Sequence, residues 1–94
     1  MNNRRVIFRV HAIQRMFERK ISAGNVRQVL QSGEMIEDYS DDMTHPGGLM
    51  SGKRGQRYFH VIMAENTKDA ELVVITVYEP DPSQWKPGFK VRKK

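Results

Sequence analysis

Two runs rich in β-branched and aromatic residues, Tyr58–Ala64 and Leu72–Glu79, flank the turn-forming stretch Asn66-Thr67-Lys68-Asp69 and commit the middle of the chain to an antiparallel hairpin. Strand side chains alternate, so Phe59, Val61 and Met63 share one face, as do Val73, Ile75 and Val77. The two apolar sets meet only if paired positions sum to an even number, which predicts Phe59 opposite Val77 and Met63 opposite Val73. Tyr58, His60, Thr76 and Tyr78 then occupy the other face.

The cover for the apolar face comes from upstream. Ala12, Ile13, Met16 and Phe17 recur at helical spacing, with His11, Gln14, Arg15 and Glu18 on the opposite arc, so an amphipathic helix is expected over His11–Lys20. Ser22 suits the N-cap of a second helix with Val26, Val29 and Leu30 as its apolar stripe, and Gly33 is placed to end it. Arg4–Arg9 and Glu34–Tyr39 read as short strands. Ser40–Gly55 has the glycine, proline and charge content of a long exposed loop, with room for a hairpin near Leu49-Met50. Pro80-Asp81-Pro82 ends the last strand, and Trp85–Lys94 forms a tail able to add an edge strand. The expected fold is α+β: two N-terminal helices packed on one face of a small antiparallel sheet, with the second face partly open.

Ninety-four residues supply one core, because a chain of this size buries roughly 60–65% of its unfolded surface; residues 1–94 are therefore read as a single domain. There is no cysteine, which excludes a disulfide framework or a thiolate metal site. The basic start lacks the apolar run of a signal peptide, and no stretch approaches the ~18 apolar residues of a membrane span, so a cytoplasmic protein without a membrane partner is expected.

Sixteen basic residues against 11 acidic ones give a formal charge of +5. The basic residues gather at Arg4, Arg5 and Arg9, at Lys53, Arg54 and Arg57, and at Lys86, Lys90, Arg92, Lys93 and Lys94. RNA is the natural partner for such clusters, since each neutralised phosphate releases a condensed counterion. The plainer reading is a solvated surface with a basic tail.

Cleaving RNA through its 2′-hydroxyl without a metal needs a base, a proton donor for the leaving oxygen, and cations around the phosphate. His11, at the start of the first helix, and Arg15, on the same helical face, are candidates. His60 shares a sheet face with Tyr58 and Tyr78. Tyr78 stands at a strand end, where it can donate a proton or stack on a base, and Glu79 beside it can orient an arginine. Each also has a structural reading: His11 as a surface residue, His60 as a hydrogen-bonded strand residue, Tyr78 as a cap on the sheet. Glu37, Asp38, Asp41, Asp42 and His45 match no metal-ligand spacing, and the glycines of Gly47-Gly48 and Gly52-Lys53-Arg54-Gly55 match no phosphate-cradling motif, so neither metal nor cofactor is expected.

The run His11-Ala12, Arg15-Met16, Arg19 and Ile21-Ser22, followed by Val26, Val29-Leu30 and Gly33-Glu34, looks like a bacterial domain-of-unknown-function family; His60-Val61-Ile62, Thr76-Val77-Tyr78-Glu79-Pro80-Asp81 and Trp85 keep that family's order. The family in turn resembles the RelE-like branch of the barnase, EndoU, colicin and RelE ribonuclease group. That resemblance implies a toxin-type, metal-independent endoribonuclease with a cognate antitoxin protein as partner. It implies His11, Arg15, His60 and Tyr78 as catalytic residues, with Arg19, Lys53, Arg54, Arg57 and Arg92 on the RNA. The competing expectation is a non-catalytic RNA- or protein-binding module on the same fold.

Overall fold

The computed structural model describes residues 5–39 and 46–93. Its elements run β1 (Arg5–Phe8), α1 (Val10–Arg19), α2 (Ala23–Ser32), β2 (Glu34–Asp38), β3 (Gly47–Arg54), β4 (Arg57–Asn66) and β5 (Glu71–Tyr78). The strands form one sheet in the order β1-β5-β4-β3-β2. The α+β class holds, but the sheet is mixed rather than antiparallel, because β1 lies parallel to β5 with Val6 beside Leu72 and Phe8 beside Val74. Only the single residue Arg9 separates β1 from α1. The helix itself thus begins the crossover from the sheet's edge, and a parallel neighbour needs such a crossover.

Both helices pack on one face of the sheet, α1 against β5 and α2 against β3 and β4. Ala12, Met16, Ile21, Val26 and Val29 meet Met50, Phe59, Val61, Met63, Leu72, Val74 and Val77 in a single core. Ser22 caps α2, its hydroxyl accepting from the Asn25 N–H at 3.0 Å. At the end of α1, Lys20 takes the left-handed conformation (φ 55°), and the Ile21 N–H returns to the Met16 carbonyl at 2.9 Å, burying Ile21 behind the turn.

Several expectations change. In α1 the apolar stripe is wider than the contact: Ala12 and Met16 are buried, whereas Ile13 is 53% and Phe17 87% exposed. α1 lies over β5, not over the middle of the sheet, so only a narrow arc of the helix meets the core.

The hairpin pairs His60 with Tyr78 and Val61 with Val77, two residues away from the expected register, in which Phe59 faced Val77. The apolar faces still meet, but a bulge intervenes: Ile62 pairs with Thr76 and Met63 with Val74, leaving Ile75 as the extra residue. Beyond it the parity of β5 flips. Leu72 and Val74, not Val73 and Ile75, join Val77 in the core.

Much of the stretch expected as loop is a central strand. Gly47–Arg54 is β3, paired with β2 on one side and β4 on the other. Its glycines are packing residues: a Cβ at Gly52 would come within 2.9 Å of the Val29 side chain. Gly33 ends α2 in extended conformation rather than left-handed (φ −78°), and here too close approach is the reason, since a Cβ would stand 2.5 Å from the Val29 carbonyl oxygen and 2.6 Å from that of Ser51. Asp41, Asp42 and His45 lie outside the described residues.

The second face is not open. The C-terminal segment adds no edge strand; it folds across that face as a loop closed by backbone hydrogen bonds from Lys86 to Val91 and from Lys93 to Gln84, each 2.8 Å, with Trp85 bridged to Arg92. Trp85 is buried beneath it.

Candidate functional site

Register dictates which groups converge under this segment. On β3, β4 and β5 the face away from the helices carries Ser51, His60 and Tyr78, one from each neighbouring strand. On β2 a second irregularity, between Met35 and Glu37, leaves Ile36 as the extra residue and returns Glu37 to that same face opposite Leu49. Glu37 receives hydrogen bonds from the Tyr39 hydroxyl and from both sides of the Arg92 fork, Nε at 2.7 Å and Nη2 at 3.0 Å. Arg92 also lies 4.5 Å from the centre of the Trp85 ring.

His60 is fully buried. Its Nε2 lies 2.7 Å from the Phe89 carbonyl oxygen, which can only accept, so Nε2 carries the proton and Nδ1 is left to accept from the Tyr78 hydroxyl at 3.3 Å. The Trp85 ring meets the imidazole edge-on at 4.5 Å. Burial pushes the His60 pKa below its usual value, opposed by the Phe89 carbonyl and by the charge of Glu37. Burial pushes Tyr78 and Tyr39 up, and in Tyr39 the hydrogen bond to Glu37 adds to the shift. The Arg92 fork holds Glu37 below the ordinary carboxylate range. Two hydrogen-bonded groups, Glu37 with Tyr39 and Arg92, and His60 with Tyr78, thus meet at the Trp85 ring, closed to solvent at His60.

The expected site residues divide. His60, Tyr78 and Arg92 come together here. His11 and Arg15 do not: they project from α1, which packs on the opposite face, and Arg15 is ion-paired to Glu18 at 3.1 Å. The start of α1 has Arg9 as its N-cap with no side-chain cap bond. Arg19 donates to the Val77 carbonyl at 2.8 Å, tying the helix to β5. Arg57 forks onto Glu79 at 2.9 and 3.0 Å and also donates to the carbonyls of Lys20 and Arg19, fastening the left-handed turn that ends α1. Lys53 and Arg54 remain exposed at the end of β3, Lys53 with its ammonium 5.2 Å from the centre of the Tyr58 ring. Glu37 and Tyr39 carry no catalytic expectation from sequence: the adjacent apolar pair Met35-Ile36 breaks the alternation of this strand, and only the pairing with β3 shows that Glu37 returns to this face.

Residues 8–79 match a described protein family, a domain of unknown function (DUF4258). The chain belongs to the DUF4258 family. Of the cluster, Glu37, Tyr39, His60 and Tyr78 fall inside the DUF4258 match, whereas Trp85, Phe89 and Arg92 come from the segment beyond it. No curated protein and no solved structure matches the chain. Among the described residues no helix is long and apolar enough to cross a membrane, and no group of three or more His, Cys, Asp or Glu is arranged to hold a metal ion.

Proposed function

We propose that this DUF4258 protein is a single-stranded RNA-binding module. The observation that carries this reading is a cationic and aromatic platform at one end of the covered face: Lys53 above Tyr58, Tyr58 packed on Phe89 with ring centres 4.7 Å apart, and Lys90 beside them. Bases stack on aromatic faces while ammonium and guanidinium groups meet the backbone, a sequence-tolerant mode of binding. The test is fluorescence anisotropy with a labelled single-stranded RNA across a salt series. With about four phosphate contacts, log K should fall against log salt with a slope near −3. A flat response rejects the reading.

A second reading, a metal-independent toxin-type endoribonuclease with a cognate antitoxin, is favoured by the convergence of Glu37, Tyr39, His60, Tyr78 and Arg92. Both nitrogens of His60 are engaged and the ring is buried, so this chemistry requires the 85–92 loop to lift first. His11 and Arg15 would have no part in a centre built on this face. Incubation with total RNA in the presence of a chelator tests it, with His60→Ala and Tyr78→Phe as controls. General acid–base groups typically supply about 10²–10⁴-fold, so loss of cleavage on that scale in these variants is expected under this reading, and absence of cleavage by the wild type rejects it.

A further inference from the structure

Where the C-terminal loop meets the end of α2 and the edge of β3, it does not close completely. A cleft of about 380 Å³ remains, lined by Gly33, Glu34, Gly52, Lys53, Tyr58 and Lys90 among others. That volume lies in the range of small-molecule sites. Gly33 and Gly52 contribute bare backbone to the wall. Two ammonium groups face the space: Lys53, resting over Tyr58, and Lys90, ion-paired to Glu34 at 2.8 Å. Glu34 holds Lys90 more firmly protonated, and both line the cleft together with Tyr58.

We infer that this cleft is a subsite for one nucleotide, its phosphate between Lys53 and Lys90 and its base on the face of Tyr58. The inference rests on the RNA-binding reading and specifies where a single nucleotide of the strand is held. The two functions are linked through Lys53. A phosphate drawing its ammonium off the ring uncovers the aromatic face that the base needs, and the contact of Tyr58 with Phe89 keeps the ring in place. Glu34 opposes the phosphate and is ion-paired to Lys90. Its carboxylate therefore sets the affinity from the other side, and its removal must strengthen binding.

The test is a two-dimensional amide NMR titration of the whole protein with adenosine 5′-monophosphate, adenosine and inorganic phosphate in parallel. The nucleotide should shift Gly33, Gly52, Tyr58 and Gly88 saturably, with adenosine and phosphate each binding more weakly. Lys53→Ala should weaken nucleotide binding about fivefold and Glu34→Gln should tighten it, while Lys68→Ala, in the β4–β5 turn away from the cleft, leaves it unchanged. Lys53, Glu34 and Lys68 are exposed, so these variants are expected to fold, and the opposite sign at Glu34 is a result that general destabilisation does not produce. Equal binding of phosphate alone, shifts spread away from the cleft, or no saturable shift overturns the inference. RNA binding by anisotropy with no nucleotide shift would discard the cleft and leave the RNA-binding reading standing. Nucleotide binding without RNA binding would keep the cleft and discard that reading.

Discussion

His60 donates its Nε2 proton to the backbone carbonyl of Phe89 at 2.7 Å, and Phe89 itself sits in the left-handed region at φ 57°. A non-glycine residue held there costs free energy that surrounding structure must offset. The imidazole beneath the loop is one of the groups that holds it.

Stability should therefore depend on pH near the histidine range. Burial lowers the folded-state pKa of His60, so the unfolded chain binds its proton more readily, and acid favours unfolding. The contribution is intact above the unfolded value of about 6.5 and is lost as pH falls from there toward the folded value. Urea midpoints should drop between about pH 7 and pH 5. His60→Gln retains a donor for the Phe89 carbonyl and should flatten that interval; an unchanged slope in the variant would contradict the assignment.

Arg92→Ala removes the fork onto Glu37 and the cation over Trp85. Both side chains of the ion pair are partly exposed, so the expected loss of stability is only about 1 kcal/mol. Exposure of the loop's contents is the more telling readout. Trp85 is the chain's one tryptophan, and its fluorescence should shift to the red and become accessible to acrylamide.

Neighbouring residues of α1 should respond very differently to truncation. Met16→Ala opens the core and should cost about 2–5 kcal/mol. Phe17→Ala, at a surface position, should stay within about 0.5 kcal/mol. Thermal or urea denaturation of the pair checks where α1 is seated, and equal losses would place Phe17 in the core.

Ala70 closes the β4–β5 turn at φ 55° and is exposed. Glycine bears no steric penalty there, although it gains entropy in the unfolded chain, so Ala70→Gly should stabilise the protein by about 0.5–1 kcal/mol in urea titrations. Destabilisation would count against the left-handed turn.

The elements most legible in the sequence are those whose signals are local. Ser22 as a cap, the helical periodicity of Ala12 and Met16, and the two apolar runs of the hairpin each act through neighbours a few residues away. What was hidden depends on close packing at long range. Gly48 and Gly52 in β3 carry the same letters as a flexible loop, and only the approach of Val29 and of the Glu37 backbone shows why side chains are excluded. The bulge at Ile75 inserts one apolar residue into an apolar strand, so the hydrophobic pattern there reads equally well with either parity, whereas in β2 the adjacent Met35 and Ile36 break the alternation without showing to which face Glu37 returns. In the candidate site, the shared face of His60 and Tyr78 followed from alternation although their direct pairing did not, whereas Glu37 and Arg92 meet from positions far apart in the chain. His11 and Arg15 had plausible chemistry and lacked a route through the sheet.

The parallel pairing of β1 with β5 also bears on how the chain reaches this structure. Arg5 lies beside Glu71, joined by an ion pair at 2.8 Å, so the first described strand finds its partner only in the last one. During synthesis, β1 and the buried arc of α1 must wait for β5, 66 residues further on, to emerge, and the entropy of closing so large a loop falls on the late stages of assembly. The β3–β4 hairpin, whose strands are joined by a short turn at Gly55, faces no such delay. Refolding should begin there and spread outward, with the N-terminal edge the last to dock and the first to open under hydrogen exchange.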